Sequence, residues 1–167
     1  MKSSKRIALC AARAAVALTI FVAESQIPPI VPIAGVKLGL ANIVTLVAMV
    51  LLGRQDALAI LAVRLVLGSV FAGGFSAFLF SVAGGVFAYI VMCVLVGVFP
   101  EKLLWVVSVF AALAHNAGQL LVAILITQTP GLIVYGLALA ASGVVTGVFT
   151  GLASMFLIRA VRKSRLL

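Results

Sequence analysis

The chain has 167 residues, 65% of them hydrophobic, with twelve basic and three acidic side chains, a net charge of +9 and a mean hydropathy of +1.39. That balance excludes a soluble globular protein, and the length suits one domain spanning residues 1–167 with room for about six apolar spans of roughly 20 residues. The net charge does not point to nucleic acid, because the basic residues flank apolar stretches and no aromatic residues interleave with them.

The first predicted span covers about residues 5–24, behind a start that carries Lys2, Lys5, Arg6 and Arg13. Its basic start and apolar stretch look like a signal peptide, but Arg13 interrupts the stretch and no A-x-A-like cleavage site follows, so the segment is expected to be retained as a helix. Ala8 with Ala12, and Ala11 with Ala15, form small-xxx-small pairs that let another helix approach closely. Two readings stay open for this face: packing within the bundle, or docking of another membrane subunit.

Pro28, Pro29 and Pro32 make residues 25–36 a connecting loop. The second span is predicted over about residues 37–52, and a polar turn, Gly53-Arg54-Gln55-Asp56, separates it from the third, over 57–72. Gly73-Gly74 breaks the chain before the fourth span, 76–98, and Pro100-Glu101-Lys102 turns it into the fifth, 103–127. Thr129-Pro130-Gly131 leads to the sixth, 132–159, where Gly143, Gly147 and Gly151 make a ridge of small residues for internal packing. Arg159, Arg162, Lys163 and Arg165 close the chain. Placing both termini in the cytoplasm puts these residues, Arg54 and Lys102 on the inner side and leaves only Lys37 outside, as the positive-inside rule requires.

Polar residues inside such spans are costly, so they are the candidate functional residues. At ~1.5 Å of rise per residue, Arg64 on the third span and His115 and Asn116 on the fifth fall near mid-bilayer. Gln119 lies one turn further out on the face of His115. Asn42 and Thr45 are expected in the outer half, and Glu24 and Lys37 at the outer rim. Together these residues are predicted to line an outward-opening pocket. The plainer alternatives are interhelical hydrogen bonds for His115 and Asn116, snorkelling for Arg64 and a Glu24–Lys37 pair across the loop. No acidic residue falls at the expected depth of Arg64, so its charge is assigned to backbone carbonyls, neutral polar groups, water or an anionic ligand.

No cofactor or metal is expected. One histidine and two distant cysteines, Cys10 and Cys93, give no zinc set, and no P-loop is present. Transport by this chain would draw its energy from a partner or an ion gradient.

The stretch Gly35-Val36-Lys37-Leu38-Gly39-Leu40-Ala41-Asn42-Ile43-Val44-Thr45 resembles the bacterial "Gx transporter" family, also catalogued as heptaprenyl diphosphate synthase component I. The likeness continues through Arg64-Leu65-Val66-Leu67-Gly68-Ser69, Phe80-Ser81-Val82-Ala83-Gly84-Gly85 and Ala114-His115-Asn116-Ala117-Gly118-Gln119-Leu120, and covers about residues 7–157. That family is similar in turn to the S components of energy-coupling factor (ECF) transporters. The resemblance implies an all-α integral membrane bundle of six transmembrane helices, with an outward-facing site and a lid between the first two. It also implies docking through the alanine ridge of the first helix on a coupling membrane subunit that works with ATPases. Prenyl synthases bind Mg²⁺-diphosphate through aspartate-rich motifs, whereas this chain has a single aspartate, Asp56, and is not expected to be an enzyme by itself.

The resulting expectation is a multi-pass protein of a bacterial plasma membrane that captures a small molecule from outside. Asn42, Arg64, His115, Asn116 and Gln119 would line the site, and Glu24 and Lys37 would act at its entrance. The alternatives are a non-catalytic membrane accessory of a heptaprenyl diphosphate synthase, quinone or flavin-linked redox system, and a secondary transporter acting alone.

Overall fold

The computed structural model describes residues 42–72 and 74–163. Five α-helices run through them: α1 (Asn42–Leu52), α2 (Arg54–Ala72), α3 (Gly74–Leu95), α4 (Leu104–Thr127) and α5 (Gly136–Lys163). Short 3-10 helices, Glu101–Leu103 and Pro130–Tyr135, precede α4 and α5, and no strand occurs among the described residues. Among the described residues, three helical stretches are long and apolar enough to cross a membrane, Phe78–Leu95, Glu101–Thr127 and Pro130–Lys163, while α1 is apolar but shorter. The predicted first span and the proline-rich loop lie outside the described residues, so the expected six spans are described only in part.

The breaks fall close to where they were predicted, with instructive differences. Gly53 alone, not a four-residue turn, separates α1 from α2. Its φ of 98° is open to glycine, and its N–H reaches the carbonyls of Ala48 and Met49, both at 3.2 Å. The Gly53 carbonyl then accepts from Ala57, so Arg54, Gln55 and Asp56 form the first turn of α2. α3 opens at Gly74 and stops at Leu95, shorter at its end than predicted, because Val98 and Phe99 both turn back onto the Leu95 carbonyl ahead of Pro100. Residues 132–135, expected in the last helix, instead continue the 3-10 turn started by Pro130. α5 runs past Arg159 to Lys163.

α4 packs most extensively, against α5 on one side and α3 on the other, and α1 packs on α2, α3 and α5. Residues Asn42 to Met49 of α1 are all buried, as suits a helix apolar all round. The α4–α5 seam rests on the predicted glycine ridge. A Cβ on Gly147 would lie 2.5 Å from the Val109 Cα, and one on Gly151 would strike the Trp105 backbone, so only glycine permits this approach. Outside the bundle, Val145, Phe149, Leu152 and Phe156 of α5 are each more than half exposed, a surface suited to lipid and not to water.

Two apolar clusters fill the interior. The larger joins Leu46, Ile60, Met92, Leu104, Val107 and Ile158 toward the Gly53 end. The smaller joins Phe80, Ala123 and Leu139 toward the other. Between them lies a layer of buried polar side chains.

Candidate functional site

Helix geometry sets the level of that layer. Asn42 stands ten residues from the end of α1, Arg64 ten from the start of α2, Gly84 eleven from the end of α3 and His115 eleven from the start of α4. Each is therefore ~15–17 Å from the same end of the bundle. That end is fixed by the Gly53 turn, by Tyr89 Oη donating to the Arg54 carbonyl at 2.9 Å, and by the Arg162–Glu101 ion pair at 2.8 Å. Asn42 was expected in the outer half. It lies level with His115 instead, because only ten residues of rise separate it from Leu52, the last residue before Gly53, and Thr45 lies one turn nearer the Gly53 end.

The layer is dry. Arg64, His115, Asn116 and Gln119 are between 0% and 4% exposed. Asn42 Nδ2 lies 3.3 Å from His115 Nδ1, joining α1 to α4. The imidazole rests on Gly84, where a Cβ would come within 2.7 Å of Cε1 and Nδ1. Next along α3, a Cβ on Gly85 would stand 3.3 Å from Arg64 Nη2. Consecutive glycines thus receive the imidazole and the guanidinium on one stretch of α3. Ser81 is on the same face, three and four residues before them.

Asn116 turns elsewhere. Successive helical residues point about 100° apart, and its Nδ2 donates to the Leu139 carbonyl of α5 at 2.7 Å. Gly143 makes room for that amide, since a Cβ there would lie 3.0 Å from Nδ2. Gln119, fully buried, continues the His115 face one turn beyond. Asn42, Arg64 and His115 therefore come together, with Gln119 above them, while Asn116 braces α5. Glu24, Lys37, Ala8, Ala11, Ala12 and Ala15 lie outside the described residues.

Three atoms of the layer, Thr45 Oγ1, Ser81 Oγ and His115 Nε2, are buried and make no hydrogen bond to any described residue. An unsatisfied buried polar atom costs about 1–3 kcal/mol, more than an apolar replacement of the same shape would. Ser81, Gly84 and Gly85 were missed as site residues by sequence reasoning. Their shared spacing on α3, a small and polar face in an otherwise apolar helix, was the available signal.

A family model described as heptaprenyl diphosphate synthase component I matches residues 14–157. The chain belongs to that family. Neither a curated protein nor a solved structure matches it. The family's description names a component, which is compatible with a partner subunit, and the long apolar helices make this member a membrane protein. The match spans every helix that contributes to the polar layer.

Proposed function

We propose that the chain is the substrate-capturing membrane subunit of an uptake system, built like an ECF S component, with six spans and both termini in the cytoplasm. The observation that carries this reading is the polar layer itself. Four helices bring buried polar groups or glycines to one level between two apolar clusters, and three polar atoms at that level or about one helical turn from it have no partner among the described residues. A protein of this apolar character gains nothing from such groups unless something polar enters between them. In this reading Arg64, His115, Gln119 and Asn42 hold a small molecule that arrives from outside, past Glu24 and Lys37. The chain performs no catalysis and depends on a coupling subunit with ATPases.

The family description favours a second reading, a non-catalytic membrane accessory of a heptaprenyl diphosphate synthase. One aspartate cannot build the aspartate-rich Mg²⁺-diphosphate site of such an enzyme, so the catalytic subunit would be another chain.

Purification from native membranes in mild detergent, with mass spectrometry of the proteins and small molecules retained, separates the two. The uptake reading expects an ATPase pair and a small molecule that His115→Leu fails to retain. A co-purifying prenyl synthase, with no small molecule lost in the variant, would overturn it.

A further inference from the structure

A second polar feature lies away from the buried layer, at the Gly53 end of the bundle. A cleft of about 150 Å³ is lined by Glu101, Lys102, Met155 and Arg159. Met155 and Arg159 are four residues apart on one face of α5, and the end of that helix is tied to the 3-10 helix Glu101–Leu103 by the Arg162–Glu101 ion pair. The acidic member of the cleft is already engaged: Arg162 Nη1 donates to both Glu101 carboxylate oxygens, at 2.9 and 2.8 Å. That leaves two exposed cations, Lys102 and Arg159, at the cleft wall.

The cleft also lies at a membrane boundary. One apolar stretch long enough to cross the bilayer begins at Glu101 and another ends at Lys163. Trp105, 37% exposed, stands one turn inward from Glu101, the level at which indole rings mark an interface. Below Arg159 on α5 runs the lipid-facing stripe of Val145, Phe149, Leu152 and Phe156, whose last member is three residues away. Apolar stripe, aromatic marker and paired cations follow one another as the tail, glycerol region and phosphate of a lipid do.

We propose that this cleft binds the headgroup of an anionic phospholipid, with Lys102 and Arg159 holding the phosphate and the α5 stripe against the acyl chains. Arg159 supplies a planar fork suited to phosphate, and Lys102 a point charge. Basic side chains at a helix end would attract any anionic membrane surface diffusely. A half-open cleft with two cations at its wall instead requires that these two matter and that a neighbouring one does not. This site is independent of the buried layer and of what that layer binds.

The test uses the full chain in detergent, titrated with phosphatidylglycerol or phosphatidylcholine and followed by native mass spectrometry. Phosphatidylglycerol is expected to be retained with a preference of about tenfold, the scale of one charge-assisted contact. Lys102→Gln and Arg159→Gln should each bring the two lipids to near equality, whereas Lys163→Gln, outside the cleft, should leave the preference intact. Equal retention of both lipids by the unaltered chain overturns the proposal, as does a loss in Lys163→Gln matching that in the cleft variants. Displacement of the lipid by millimolar inorganic phosphate would make the site one for a free anion and overturn it too. If Arg159→Gln fails to fold, Lys102→Gln on the exposed 3-10 helix decides the outcome alone.

Discussion

The α4–α5 seam and the polar layer beside it bury the same kinds of side chain and treat them differently. In the seam every hydroxyl is used. Ser108 and Thr150 meet at 2.8 Å, Thr150 donates back to the Thr146 carbonyl at 2.8 Å, and Ser154 donates to the Thr150 carbonyl at 2.7 Å. In the layer, Thr45 Oγ1, Ser81 Oγ and His115 Nε2 make no hydrogen bond among the described residues. Burial does not distinguish the two regions, since Ser81, Ser108 and Thr150 are each 4% exposed. Satisfaction does. A membrane helix pair gains stability from hydroxyls that close onto carbonyls and from glycines that bring backbones together. Groups equally buried but unsatisfied add nothing to the fold and suit a visitor.

The seam is the easier region to break. Gly151→Leu drives a side chain into the Trp105 backbone, and Gly147→Leu into Val109 and the Ser108 carbonyl. Neither neighbour is the movable end of a flexible side chain, so α4 and α5 must separate. The expected loss is about 3 kcal/mol or more, a fall in Tm on the order of 10 °C, read by thermal unfolding in detergent. An unchanged Tm would mean that the seam does not hold the fold together.

A glycine substitution in the layer tests a different property. Gly84→Ala places a methyl group against the imidazole, which must leave its place and its contact with Asn42. A cost of about 1–3 kcal/mol is expected, together with loss of whatever small molecule the unaltered chain retains. Gly85→Ala meets only the ends of Leu61, Leu65 and Arg64, at 3.2 to 3.6 Å. These ends can yield, so its cost should stay below about 1 kcal/mol. Equal costs at the two positions would show that the glycines serve helix packing in general and not the seating of His115.

Much of this contrast was legible in the sequence. The spacing of Gly143, Gly147 and Gly151 announced a close helix contact, and counting helical rise placed Arg64 level with His115, because both arguments depend only on positions within one helix. Partners across helices were not legible. That Asn116 faces α5 while His115 faces α1 and α3 depends on which neighbour stands on each side of α4. The Ser108–Thr150 bond and the Arg162–Glu101 pair join residues 42 and 61 apart in sequence, a pairing that no local periodicity specifies. Asn42 was misplaced for a related reason: its depth was counted from the outer end of a span, whereas Gly53 fixes the register from the other.

The finest test compares two serines of equal burial. Ser108→Ala removes a hydroxyl with a partner. Thr150 keeps its bonds to the Thr146 and Gly147 carbonyls, so no new orphan is created, and the cost should be only about 0.6 kcal/mol, the usual worth of such a bond between membrane helices. Ser81→Ala removes a hydroxyl that makes no hydrogen bond to any described residue. Taking away an unsatisfied polar atom while keeping the shape is neutral or stabilising, so the ligand-free protein should lose nothing, or gain a few tenths of a kcal/mol. With ligand bound the order reverses. Ser81→Ala should then weaken retention about fivefold, the value of one hydrogen bond, and Ser108→Ala should leave it unchanged. Thermal unfolding with and without the co-purified small molecule reads both halves. If Ser81→Ala destabilised the empty protein as much as Ser108→Ala does, Ser81 would belong with the seam, and the layer would be one more structural contact between helices.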